Sequence, residues 1–177
     1  MPAKPPDDTS DPILKDNIPM SKSIATVIAL ALTMTVTTLS YAQKKMPAVR
    51  FMDTDNTLVT NKDIAPGKPL LLIYFRSDCD HCLHTAQVLK EQAKNYPATL
   101  WMVSAESIPV LRTFEDMTGL YDVDQVTVLQ DYTQKMHTWF DFSKLPFIVL
   151  YDKQGKQLKT FDELPPVASV KNILMGK

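Results

Sequence analysis

Residues Pro69–Gln92 read PLLLIYFRSDCDHCLHTAQVLKEQ. Leu70–Phe75 is apolar without a break and only about six residues long, the pattern of a strand buried on both faces rather than on one. From Cys82 to about Tyr96 the pattern changes to that of a helix. Leu83, Ala86, Leu89 and Ala93 recur at roughly helical spacing, and Asn95-Tyr96-Pro97 ends the run. At the junction between strand and helix stand Cys79 and Cys82, the only two cysteines in the chain.

Working outward, the same alternation continues. Ala48–Met52 reads as a strand, followed by a turn-rich approach with a short hairpin. Thr99–Glu106 is a second core strand. Ser107–Leu120 reads as a helix, with Pro109 in its first turn and Gly119 at its close. Gln125–Asp131 is a third strand, and Thr133–Trp139 a short helix. Pro146–Asp152 and Gln157–Asp162 form a hairpin across Lys153–Lys156, and Pro166–Gly176 is the closing helix. Strands alternating with helices and then a late hairpin predict an α/β sandwich with a mixed sheet. Trp101, Met102, Met117 and Trp139 are expected in the core, Asp131 as a cap or turn residue, and His84 and His137 at the surface.

The N-terminal residues follow different rules. Residues 1–19 are rich in Pro and Asp, lack periodicity and are expected to be a disordered leader, with Met20 as an alternative start. Residues 20–42 have the layout of a secretory signal: Lys22, an apolar run Ile24–Leu39, then Ser40 and Ala42 ahead of a cut before Gln43. The apolar run is roughly 16 residues, short of the roughly 20 that span a bilayer. Membrane attachment is therefore expected only if the signal stays uncleaved. Residues 43–177 remain as a single domain, expected to be exported, periplasmic or extracytoplasmic, and monomeric. With 19 Lys+Arg against 20 Asp+Glu, the charges nearly cancel, which argues against electrostatic capture of nucleic acid.

Three uses are open to the cysteine pair. As a brace it would be inefficient: a four-residue loop gives about 2 kcal/mol on the chain-entropy model, against about 4.7 for a hundred-residue loop. As a metal site, Cys79, His81, Cys82 and His84 are all within six residues, but a closed zinc site usually draws its ligands from two separated pairs. No second pair exists, and no metal or cofactor is expected, although a binding protein that handles copper(I) on the two thiolates, or one that is redox-inert, stays open as an alternative. As a reactive pair the placement fits. A thiol at a helix N-terminus meets unpaired N–H groups and a partial positive charge, which favour its thiolate. Cys79 would then attack, and Cys82, one turn further, would resolve the mixed disulfide. His81 would help the thiolate, Asp78 and Asp80 would oppose it, and Asp78 has the further option of capping the helix. Arg76 and Lys144 are candidates to flank the cysteines.

The strand–Cys-x-x-Cys–helix unit LLLIYFRSDCDHC, the later LPFIVLYDKQGK and the terminal helix resemble the thioredoxin fold. The strand–helix segment between Ala98 and Leu120 and the approach FMDTDNTLVTNKDIAPGKPLLLIYF resemble the exported TlpA-like thiol–disulfide oxidoreductases, over residues 46–177. The resemblance implies a three-layer sandwich: a mixed central sheet flanked by helices, with an N-terminal strand and hairpin and an extra strand–helix insertion. It implies that Cys79 is the nucleophile and Cys82 the resolver, with Asp78, Asp80 and His81 in support. It also implies a cis peptide between Leu145 and Pro146, with the main chain of Leu145 receiving a substrate peptide. Protein thiols and disulfides, with an upstream redox donor or acceptor, would be the partners, and reduction would be the direction.

The chain departs from thioredoxins in carrying Asp78 in place of a tryptophan, Ile73 in place of a buried aspartate, and no proline within the motif. Arg76 stands where peroxiredoxins need Thr or Ser, which argues against peroxidase chemistry.

Overall fold

A computed structural model of the chain describes residues 44–177. The leader and signal segments read from residues 1–42 lie outside the described residues. Seven strands form one mixed sheet: β1 (Arg50–Asp53), β2 (Leu58–Thr60), β3 (Leu70–Tyr74), β4 (Thr99–Ser104), β5 (Val126–Gln130), β6 (Phe147–Tyr151) and β7 (Gln157–Phe161), in the order β2-β1-β5-β4-β3-β6-β7. Among the described residues four α-helices accompany them: α1 (Asp80–Gln92), α2 (Ile108–Thr118), α3 (Met136–Trp139) and α4 (Val167–Leu174). Among the described residues no helix is long and apolar enough to cross a membrane.

β3 is buried along its whole length, as its unbroken apolar run requires. It pairs parallel with β4, Tyr74 opposite Val103, and antiparallel with β6, Tyr74 opposite Phe147. Alternate residues of the strand then serve two cores. Leu71, Ile73 and Phe75 face a layer with Ala86 and Leu89 of α1, Leu111 and Phe114 of α2, and Val170 of α4. Leu70, Leu72 and Tyr74 face the opposite layer, with Phe51, Trp101, Met136, Phe140 and Phe147. Each fully buried side chain of this size contributes about 1.5–3 kcal/mol by leaving water. The expected three-layer sandwich is the observed one, including the N-terminal β1–β2 hairpin and the β4–α2 insertion.

Several boundaries differ from the sequence expectation for identifiable reasons. The helix expected from Cys82 starts earlier, at Asp80, and passes at Ala93–Asn95 into a 3-10 turn. β1 is displaced two residues from Ala48, and β4 stops at Ser104 instead of running to Glu106. α3 begins at Met136 rather than Thr133, because the buried Asp131 carboxylate accepts from Thr133 Oγ1 and from the Met136 backbone N–H. That capping holds the intervening residues in a turn, with Gln134 at φ 52°. Gly119 closes α2 at φ 72°, a conformation that favours glycine.

Trp101 and Met102 are in the core as expected, and Trp139 is half-buried. Met117 is not: it is 76% exposed. The buried stripe of α2 is Leu111, Phe114, Glu115 and Thr118, at i, i+3, i+4 and i+7, and Met117 falls outside that set. Replacing Leu89 by Ala should therefore cost about 2–5 kcal/mol in urea unfolding. Met117→Ala should stay within about 0.5 kcal/mol. Similar losses for both would contradict this assignment of the core.

Candidate functional site

The C-terminal end of β3 and the N-terminal end of β6 are brought together by the antiparallel register that sets Tyr74 against Phe147. The loop leaving β3 carries Cys79, and the residues entering β6 are Leu145 and Pro146, joined by a cis peptide bond. The contact between them is direct: the Cys79 thiol lies 3.7 Å from the Leu145 carbonyl oxygen, to which it donates.

Cys79 itself caps α1. Its backbone is extended (φ −102°, ψ 115°), and its Sγ accepts from the Cys82 backbone N–H at 3.3 Å. A sulfur thus fills the place usually taken by a Ser, Thr or Asp oxygen. Asp78, considered above as the cap, lies one residue too early. Its exposed carboxylate pairs instead with the exposed Arg76 guanidinium at 2.6 Å, a solvated contact of small energetic weight. Asp80 and His81 occupy the first turn of α1, both exposed.

The two thiols differ sharply in depth. Both are free; Cys79 is half-buried, whereas Cys82 is fully buried with Ile73, Phe75 and Ala86. Burial pushes the Cys82 thiol up to about 12 from an ordinary 9.0, with its hydrogen bond to Cys79 acting in the same direction. Ile73 gives this thiol an apolar neighbour where thioredoxins carry a buried acid. Because the fold favours the neutral thiol, Cys82 contributes stability below about pH 9 that is withdrawn as pH rises toward about 12.

Two open grooves flank Leu145. One, about 430 Å³, is bounded by Tyr74, Arg76, Glu106, His137 and Phe142. There His137 stacks on Phe142 with ring centroids 4.5 Å apart. The other, about 680 Å³, is bounded by His81, Lys144, Phe161, Asp162 and Glu163. Arg76 and Lys144, considered above as flanking the cysteines, each line one of these grooves beside Leu145; neither groove includes a cysteine. His84 is exposed and lines a third groove, of about 340 Å³, together with His81 and Pro146. A further cavity of about 330 Å³, lined by Lys45, Ile64 and Tyr151 among others, includes neither cysteine. Among the described residues no group of three or more His, Cys, Asp or Glu side chains is arranged to hold a metal ion.

Neither a protein-family model nor a curated protein sequence matches the chain. Solved structures do match. The thioredoxin domain of a thiol-disulfide oxidoreductase from Bacteroides vulgatus aligns with TM-score 0.59 and 20% identity, over 77% of this chain and 98% of that one. A secreted disulfide oxidoreductase from Mycobacterium tuberculosis aligns with TM-score 0.57 and 15% identity, over 73% and 96%. A thioredoxin-like protein from Aeropyrum pernix aligns with TM-score 0.57 and 12% identity, over 88% and 98%. The chain has the thioredoxin fold. At these identities the likeness is one of architecture.

Within this thioredoxin fold, the structure gathers Asp78, Cys79, Asp80, His81, Cys82, Leu145 and Pro146 at one end of the sheet. It adds three residues that the sequence reading passed over. The half-buried Glu106, just beyond β4, accepts from the Ser77 N–H at 2.8 Å, the Ser77 hydroxyl at 2.7 Å and the Ser104 hydroxyl at 3.0 Å. No local pattern marks Ser77 as a partner of Glu106, because strand pairing brings it there across 29 positions, whereas Ser104 and Glu106 are two positions apart.

The difference in depth has a measurable outcome. At pH 8, iodoacetamide should modify Cys79 and leave Cys82 untouched, as read by mass spectrometry. In Cys79→Ser, alkylation of Cys82 should rise only at pH well above that of an ordinary thiol. Rapid labelling of Cys82 at neutral pH would contradict its burial.

Proposed function

We propose that this protein exchanges disulfides with other proteins through Cys79 and Cys82. The observation that carries the reading is the position of the Cys79 sulfur. It is partly open to solvent, it accepts an N–H at the start of α1, and it lies 3.7 Å from the Leu145 carbonyl beside Pro146. The backbone donor stabilises negative charge on that sulfur. Two of the solved structures with this fold belong to proteins described as disulfide oxidoreductases, which supports the same chemistry here.

In the proposed reaction the Cys79 thiolate attacks one sulfur of a substrate disulfide. A mixed disulfide forms, and the other substrate sulfur leaves as a thiolate. Cys82 then gives up its proton to that thiolate, and its sulfur attacks Cys79. The second substrate sulfur is released as a thiolate and takes from solvent the proton that Cys79 gave up on ionising, so the substrate is left with two thiols and the protein holds a Cys79–Cys82 disulfide. The high pKa of Cys82 keeps it protonated until this step, so Cys79 alone is competent to begin. The two grooves beside Leu145 offer room for an extended substrate segment, which would pair with the Leu145 main chain as an added strand does. His81, Asp78 and Asp80 border the entrance.

The proposed direction is reduction of substrate by the dithiol form, recharged by an upstream donor. The mature protein should accelerate insulin reduction by dithiothreitol, and Cys79→Ala should abolish the acceleration. Cys82→Ser should accumulate a mixed disulfide through Cys79. A reduction potential near −270 mV fits a reductant, and one near −120 mV would reverse the direction. An undiminished rate in Cys79→Ala would remove the reading altogether.

We further propose that the domain acts after export, as a monomer. The apolar run Ile24–Leu39 followed by Ser40 and Ala42 supports export. Expression of the full chain in a bacterial host should yield a mature protein beginning at Gln43 outside the cytoplasm. An intact Met1 or Met20 on soluble cytoplasmic protein would overturn this.

A further inference from the structure

We propose that Glu106 is a positioning residue for Cys79, holding the loop that carries the thiol at a fixed place against the scaffold. The proposal rests on the reading of Cys79 as the exchanging thiol and adds to it the device that sets that thiol's geometry.

The pairing of β3 with β4 ends at Tyr74 opposite Val103, and a last backbone bond runs from the Phe75 N–H to the Val103 carbonyl at 2.9 Å. Beyond Phe75 the chain leaves the sheet, and four residues later it must present Cys79 at the start of α1. Ser77 sits midway. Both of its donors go to Glu106: the backbone N–H to Oε2 and the hydroxyl to Oε1. The carboxylate therefore does for the loop what the next β4 carbonyl would have done for a continuing strand.

Glu106 is itself fixed in advance. Its own N–H donates to Ser104 Oγ at 3.3 Å, while the Ser104 hydroxyl donates back to Oε2 at 3.0 Å. Ser104 is fully buried at the end of β4. The ring formed by Ser104 and Glu106 restricts the carboxylate to one orientation, with both oxygens turned to Ser77. Charge-assisted bonds of this kind are roughly twice as strong as neutral ones. Arg76 and Asp78, on either side of Ser77, pair with each other, a contact between two exposed residues that ties neither to the sheet; the remaining side-chain contacts of the loop are those of Cys79 itself.

The consequence falls on a sulfur two residues from Ser77. Cys79 must lie within reach of the Cys82 N–H and beside Leu145 at once. A loop freed at Ser77 would spread that sulfur over many positions, and a misplacement of about 1 Å can cost about 100-fold in rate. Glutamine can satisfy the same three contacts. Its Oε1 would accept from the Ser77 N–H and the Ser104 hydroxyl, and its amide would donate to a rotated Ser77 hydroxyl. Alanine can satisfy none.

The experiment compares wild type, Glu106→Gln, Glu106→Ala and Ser77→Ala. It reads kcat and KM for disulfide exchange, the pH profile of Cys79 alkylation, and amide hydrogen exchange at Ser77. Glu106→Ala should lose about 10- to 100-fold in kcat, a larger factor than any rise in KM from opening the groove that Glu106 borders. It should also lose protection at Ser77 while β3 and β4 keep theirs. Glu106→Gln should restore kcat to within a few-fold of wild type, and Ser77→Ala should fall between the two.

Wild-type kcat in Glu106→Ala would overturn the proposal, as would a Glu106→Gln variant as impaired as Glu106→Ala. Equal loss of protection across the sheet would also overturn it, by reducing Glu106 to general stability. Should Glu106→Ala fail to fold, Ser77→Ala against Glu106→Gln decides by the same readings. If the wild type exchanges no disulfide, the functional reading fails. The Glu106 arrangement is then judged by Ser77 protection and Cys79 alkylation, which must change in Glu106→Ala and recover in Glu106→Gln.

Discussion

The pairing of β3 with both its neighbours is the constraint on which the rest of the structure depends. β3 runs parallel to β4 and antiparallel to β6, so its C-terminal end lies between the end of one strand and the beginning of the other. That arrangement places the Cys79 loop, Glu106 and the Leu145–Pro146 peptide at the same edge. The strand can occupy the centre of the sheet only because Leu70–Tyr74 is apolar on both faces. A polar residue at any of these positions would require a partner inside one of the two cores.

From that edge the two thiols acquire different characters. Cys79 ends the loop, keeps partial contact with solvent and receives a backbone N–H. Cys82 starts the buried stripe of α1 and is sealed among apolar side chains. Two residues of helix, Asp80 and His81, separate a sulfur that can be approached from one that stays neutral. The asymmetry needs no extra acid or base, only a helix whose first turn crosses the boundary between solvent and core. In such a site Ile73 acts simply as one more apolar wall.

Much of this was legible along the chain. The apolar run of β3, the break at Cys79–Cys82, Gly119 closing α2 and the hairpin after Pro146 are local patterns, and local patterns report on local backbone preference and burial. The differences arose where a side chain took a partner from elsewhere. Asp131 captured Thr133 and Met136 and shortened α3. Cys79 took the capping position that Asp78 had been considered for. Met117 looked like core by type, but the phase of α2 against the sheet turned it outward. Ser77 and Glu106, separated by 29 residues, could not be paired from spacing.

The amino-acid sequence by itself determined the alternation of strands and helices, the strand buried on both faces, and the two cysteines at a helix start. Each follows from hydrophobic period and backbone propensity within a few residues. Only the tertiary structure decided how deeply Cys82 is sealed, which carbonyl the Cys79 sulfur meets and which carboxylate holds its loop. Those depend on the register between strands far apart in the chain, and register is settled by the simultaneous packing of both faces of the sheet rather than by any one segment.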